Sequence, residues 1–81
     1  NKFECLGLAF EVLKAGGTAP CILNAANEIA VDKFINKKIQ FSQISDLIKN
    51  ALDKIENHSD PDIDTIFECD RVTRELVSSL Y

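Results

Sequence analysis

The side chains best equipped for chemistry stand close together between Asn24 and Glu28. Asn24, Asn27 and Glu28 supply two amides and one carboxylate, and at helical spacing Asn24 and Glu28 share a face. A carboxylate works as a general base only with a reacting partner in reach. The flanking residues here are aliphatic: Ile22, Leu23, Ala25, Ala26, Ile29 and Ala30. The pattern therefore points to a buried polar network that fixes helix register, not to a catalytic centre. His58 is the single histidine and lies in the polar run Asn57-His58-Ser59-Asp60-Pro61, where a solvent-facing ring is the ordinary outcome. One histidine and no Cys-x-x-Cys pair make no zinc site. Cys5, Cys21 and Cys69 read as thiols, mostly buried, in a reducing compartment.

Three further strings have the outline of ligand sites. Asp60-Pro61-Asp62-Ile63-Asp64 starts like a calcium loop, which needs Gly at its sixth position and Glu at its twelfth. Thr65 and Arg71 stand there, so the string reads as an acidic turn with helix-capping aspartates. Gly16-Gly17-Thr18 lacks the lysine of a phosphate loop and follows a helix, so it reads as a cap between helices. Ser45-Asp46-Leu47 has the wrong order for the Asp-Ser-Leu of an acyl carrier protein and reads as a helical first turn. No catalytic, cofactor-binding or metal-binding residue is expected in residues 1–81.

The elements that position these groups are helical. Apolar spacing predicts a first helix over residues 3–15, with Phe3, Leu6, Phe10 and Leu13 inward and Leu8 and Val12 widening the face. Gly16 caps its end. A second helix is expected over residues 18–38, capped by Thr18, with Pro20 in its first turn and Lys37 and Lys38 at its negative end. Ile22, Leu23, Ala26, Ile29, Ala30 and Phe34 make one apolar face, while Val31 and Ile35 lie on the other side. Such a helix is the centre of its bundle or also meets a body outside it.

Ile39 and Phe41 read as a short extended connector with both side chains tucked in. Ser42 then caps a third helix with a clean inward row: Ile44, Leu47, Ile48, Ala51, Leu52 and Ile55. The end of the chain reads as a short turn capped by Asp62 or Asp64. A last helix follows from Asp70 to Leu80, with Val72, Leu76 and Leu80 inward. The expectation is one all-α domain over residues 1–81, a small four- to five-helix bundle.

Composition sets outer bounds. A net charge of -4 without a basic stripe argues against nucleic acid or an anionic membrane as partner. No apolar run approaches the ~18 residues of a membrane span. There is no methionine, and the chain starts at Asn1, which reads as excision from a longer polypeptide that holds the chemistry.

The string Gly16-Gly17-Thr18-Ala19-Pro20-Cys21-Ile22-Leu23-Asn24-Ala25-Ala26-Asn27-Glu28-Ile29-Ala30-Val31 closely resembles the C-terminal helical domain of the 1-deoxy-D-xylulose 5-phosphate reductoisomerase family. Cys5-Leu6-Gly7-Leu8-Ala9 before it and Lys38-Ile39-Gln40-Phe41-Ser42-Gln43-Ile44 after it extend the likeness. Residues 57–81 match loosely, around Asp64, Asp70 and Arg74. Glu4, Gly7 and Cys21 stand where the family often has Pro, Lys and Ala.

The resemblance implies a bacterial cytoplasmic or plastid-type enzyme. It would convert 1-deoxy-D-xylulose 5-phosphate to 2-C-methyl-D-erythritol 4-phosphate in isoprenoid synthesis, with NADPH and Mg or Mn, as a homodimer. It implies that the nucleotide, metal and substrate residues lie upstream, and that this domain braces the catalytic domain of the same polypeptide. The alternative from the residues alone is an autonomous helical module that binds a partner through the Val31 and Ile35 side.

Overall fold

The computed structural model describes residues 2–80, with side chains from residue 7 onward. Four helices follow one another among the described residues: α1 (Lys2–Ala15), α2 (Ala19–Ile35), α3 (Ser42–Lys54) and α4 (Ile63–Ser79). No strand occurs among them, so the all-α expectation stands. α2 is the hub. It packs most extensively on α3 and α4 and also meets α1.

Small side chains let α2 take that place. Ala25, Ala26 and Ala30 are sealed, and Ile22 fills the space between them. They meet Ile44, Leu47, Ile48 and Ala51 of α3 and Cys69 and Val77 of α4 in one core. Three polar contacts fix the direction of α4: Cys21 to the Ile66 carbonyl, Glu28 to Arg74, and Lys33 to the Ser78 carbonyl. Both numbers rise together, so α2 and α4 run parallel, with α3 returning between them.

The ends of α2 differ from expectation at both termini. Thr18 holds the cap position, but its hydroxyl does not cap the helix. It accepts from the His58 N–H at 2.9 Å and donates to Asn57 Oδ1 at 3.2 Å. Asn57 Oδ1 also accepts from the Thr18 and Ala19 N–H groups, at 2.8 and 3.0 Å. The start of α2 is thus capped by a residue 39 positions away.

At the other end α2 stops at Ile35, three residues short of Lys38. Lys37 turns left-handed at φ 62°, and the Lys37 and Lys38 N–H groups bond back to the Phe34 and Lys33 carbonyls. That is a Schellman stop with lysine in the glycine position.

Other differences follow from tertiary packing. On α1 the buried side chains are Leu8 and Val12, while Phe10 and Leu13 are 61% and 75% exposed, so the helix faces inward by the opposite stripe. Phe3, Cys5 and Leu6 lie outside the described side chains. Ile39 is buried as expected, but Phe41 is helical at φ -55°, exposed, and edge-on to the Phe34 ring. Ser42 is the first residue of α3 and not its cap. The Gln43 side chain instead reaches back to the Gln40 N–H at 2.7 Å.

The last segment is one helix where a turn and a helix are expected, because residues 65–70 hold no glycine or proline to break it. Asp62 caps it through the Thr65 N–H at 2.8 Å, while Asp70 pairs with Arg74. The sealed row is Cys69, Thr73 and Val77, with Val72, Leu76 and Leu80 half-buried beside it.

Gly17 sits at φ 61°, and a Cβ there would come within 2.4 Å of the His58 carbonyl oxygen. Gly16, at φ 64°, has open space around it. Gly17→Ala is therefore expected to cost at least ~2 kcal/mol and Gly16→Ala only ~1 kcal/mol, read by urea melting; equal costs would contradict the contact.

Candidate functional site

The polar groups singled out on α2 are brought together only in part, and they are not buried. Asn24, Asn27 and Glu28 are all exposed on this domain. The Asn24 amide donates to Glu28 Oε2 at 3.3 Å. The Arg74 guanidinium donates to Glu28 Oε1 at 3.1 Å and to Asp70 Oδ2 at 2.9 Å. Asn27 lines, together with Asn24, an open groove of about 430 Å³ beside Pro20, Leu23 and the α1 residues Leu8, Ala9, Val12 and Leu13. The expected buried network is thus an exposed chain, Asn24–Glu28–Arg74–Asp70, that ties α2 to α4. The expectation of burial fails because the sealed line of α2 is Ile22, Ala25, Ala26 and Ala30, and the 24–28 edge lies just outside it.

Three residues that motif and composition do not single out also hold the helices together: Arg74, Lys33 and Asn57. Lys33 buries its stem and places its ammonium 3.1 Å from the Ser78 carbonyl, at the negative end of α4. Its spacing from Ala26 and Ala30 puts it on the inward face, which is the one signal that it bends toward the core. Asn57 carries no signal in a single sequence, since its partner is 39 residues away.

The electrostatics are those of a scaffold surface. The guanidinium of Arg74 is held charged by hydrogen bonds to Asp70 and Glu28. On the outer face of α4, Arg71 bridges Glu68 and Glu75, and the Glu68 carboxyl titrates below its usual range for that reason. Asp62 is likewise lowered by the bond from Thr65. Each carboxylate is committed to a neighbouring donor.

Cys21 differs. Burial, then the adjacent Cys69 thiol, push its proton affinity up to about 11. Cys69 is buried and Cys21 half-buried, and both are free thiols. His58 is exposed in the 55–62 loop. Its ring lines an open groove of about 540 Å³ between α3 and α4, with Asp62, Asp64, Glu68 and Cys69. Among the described residues no three His, Cys, Asp or Glu side chains converge as metal ligands would. The described residues therefore offer no ligand set for a divalent metal. No helix among them is long and apolar enough to cross a membrane.

A profile of the family described as DXP reductoisomerase C-terminal domain matches residues 1–76. Several curated proteins named 1-deoxy-D-xylulose 5-phosphate reductoisomerase are similar. That of Acetivibrio thermocellus is 47% identical over 78 residues, covering 96% of this chain and 20% of its own length. That of Thermoanaerobacter pseudethanolicus is 44% identical over 79 residues, 98% of this chain and 21% of its own length. That of Listeria monocytogenes serotype 4a is 47% identical over 80 residues, 99% of this chain and 21% of its own length. The chain thus spans about a fifth of the length of the curated relatives it matches. No solved structure matches. The autonomous-module reading finds no support among these relatives.

The raised Cys21 proton affinity has a checkable sign. The unfolded chain releases this proton near 9.0 and the folded chain near 11. The folded state therefore holds the extra proton between those values, and stability falls as pH climbs through that window. In the folded protein, iodoacetamide labelling of Cys21 is expected to rise about tenfold per pH unit from 8 to 10, followed on tryptic peptide 15–33. A plateau near pH 9 would mean an ordinary thiol.

Proposed function

This chain belongs to the DXP reductoisomerase C-terminal domain family, and on that premise we propose that residues 1–81 form one helical domain that braces the catalytic domain of a longer polypeptide. The whole enzyme would rearrange and reduce 1-deoxy-D-xylulose 5-phosphate to 2-C-methyl-D-erythritol 4-phosphate. NADPH and Mg or Mn would be held by residues upstream. It would work as a homodimer in the bacterial cytoplasm. In that enzyme this chain supplies stiffness and a docking surface, with no group at the reacting atoms.

The observation that carries the bracing role is the apolar surface left open on a tightly built bundle. Ile35, on the central helix, is 69% exposed, while Val31 one turn back is half-buried against the bundle's own core. Phe34, Phe41, Phe10, Leu13, Ile63 and Phe67 are also exposed. The second apolar flank of α2 is thus divided: Val31 packs on the core cluster, and Ile35 faces away from the bundle. Burial of one such side chain against a neighbour contributes ~1.5–3 kcal/mol, enough to set how a domain sits.

The polar chain Asn24–Glu28–Arg74 has the same kind of role. It sets the pairing of α2 with α4, and a surface pair of this sort contributes ~0.2–1 kcal/mol. A double-mutant cycle of Glu28→Gln and Arg74→Gln in the full-length protein is expected to give a coupling of ~0.5 kcal/mol that fades in 1 M salt, with KM unchanged. A changed KM with no coupling would place Glu28 at a binding site instead.

The enzyme assignment is tested by turnover. The full-length protein is expected to oxidise NADPH when given 1-deoxy-D-xylulose 5-phosphate and Mg or Mn. Ile35→Asp is expected to lower the melting temperature of the full-length protein, because it charges a covered surface. Full activity and unchanged melting in that variant would sink the bracing role, and absence of turnover in the parent protein would sink the assignment.

A further inference from the structure

We infer that Cys21 and Cys69 together form a two-thiol modification site, which a low-molecular-weight disulfide such as oxidised glutathione converts to a disulfide stapling α2 to α4. The inference is independent of the bracing role. It rests on two free cysteines, one on each of the parallel helices α2 and α4, with the Cys21 sulfur hydrogen-bonded to the turn of α4 that precedes Cys69.

The placement is set by three observations. The Cys21 thiol donates to the Ile66 carbonyl at 3.6 Å. Ile66 lies one turn before Cys69, and a helical carbonyl points toward the residues one turn on, so the Cys21 sulfur sits over the turn that carries Cys69. Cys69 belongs to the core cluster, and Cys21 packs against that same cluster. The titratable and charged groups that act on Cys21 are Cys69, Asp70 and Arg74, all from α4.

The two thiols differ in access, and that divides the labour. Cys21 is half-buried and can meet a small disulfide from solvent, whereas Cys69 is buried at 6% exposure. In the first exchange the Cys21 thiolate attacks one sulfur of oxidised glutathione. One glutathione leaves as its thiol, and Cys21 holds the mixed disulfide. In the second, the Cys69 thiolate attacks the Cys21 sulfur and expels the second glutathione, which takes up the proton. Two protein thiols are oxidised, one glutathione disulfide is reduced, and two glutathione thiols are released. The raised proton affinity of Cys21 slows the first step at neutral pH.

The test uses the full-length polypeptide. It is held with excess oxidised glutathione at pH 8, quenched in acid, alkylated and digested with trypsin without reduction. The expected product joins peptide 15–33 to peptide 55–71, two hydrogens lighter than the sum of the free thiol peptides. Its melting temperature is expected to rise by roughly 10 °C and to fall back after dithiothreitol. In Cys69→Ala the expected end product is glutathione on Cys21 with no staple. The inference is overturned if the parent protein also stops at that mixed disulfide. Pairing through Cys5, or both cysteines recovered alkylated, overturns it equally.

Discussion

The bundle depends on a clasp between two loops that are distant in sequence. Thr18, 1% exposed, is met from the other side by Asn57 and His58. The Thr18 N–H is shared between Asn57 Oδ1 and the His58 carbonyl, at 2.8 and 3.0 Å, and the Thr18 hydroxyl closes the set. The Thr18 N–H at the start of α2 and the N–H and carbonyl of His58 in the loop after α3 are satisfied at once. The cost of leaving one buried N–H open is ~1–3 kcal/mol, a large fraction of what so small a domain has in hand. The glycine before the clasp is part of it, because any side chain at Gly17 would strike the His58 carbonyl.

From the clasp the rest of the architecture follows. Pinning the start of α2 to the end of α3 makes those helices antiparallel neighbours. The chain then crosses back through residues 55–62, and α4 lies parallel to α2, held at the Cys21, Glu28 and Lys33 levels. The result measures 36 × 25 × 16 Å, a slab scarcely two helices thick. In a slab every helix keeps an outward face. That is why a chain with a well-sealed α2 still shows Ile35, Phe10 and Leu13 to its surroundings.

The legible parts of this fold are those that local chemistry decides. The α3 row from Ile44 to Ala51 is buried as its spacing predicts, because a single stripe on a polar helix has one way to face. Gly16 and Pro20 mark the α1–α2 junction for the same local reason. The illegible parts are decisions between stripes of similar weight. On α1 the Leu8–Val12 stripe was preferred over Phe10–Leu13, since α2 offers a surface to only one of them. The cap of α2 was unreadable because Asn57 reaches it from across the fold. The aliphatic neighbours of Asn24, Asn27 and Glu28 predict burial, yet all three are exposed. Burial was settled by where α3 and α4 press, one step around the helix.

These details bear on how a small helical domain can matter to a larger protein. A domain of this size buries only ~60–65% of its unfolded surface and is modestly stable alone. Its rigidity therefore rests on a few costly contacts, above all the clasp. A body that is stiff inside and apolar outside transmits position: moving it means breaking the docked apolar contacts and not bending the helices. In an enzyme whose cleft must close around its substrate, such a brace limits the paths along which the walls can move. On this chain the surface available for such contacts is the set of exposed apolar side chains that includes Ile35, Phe10 and Leu13.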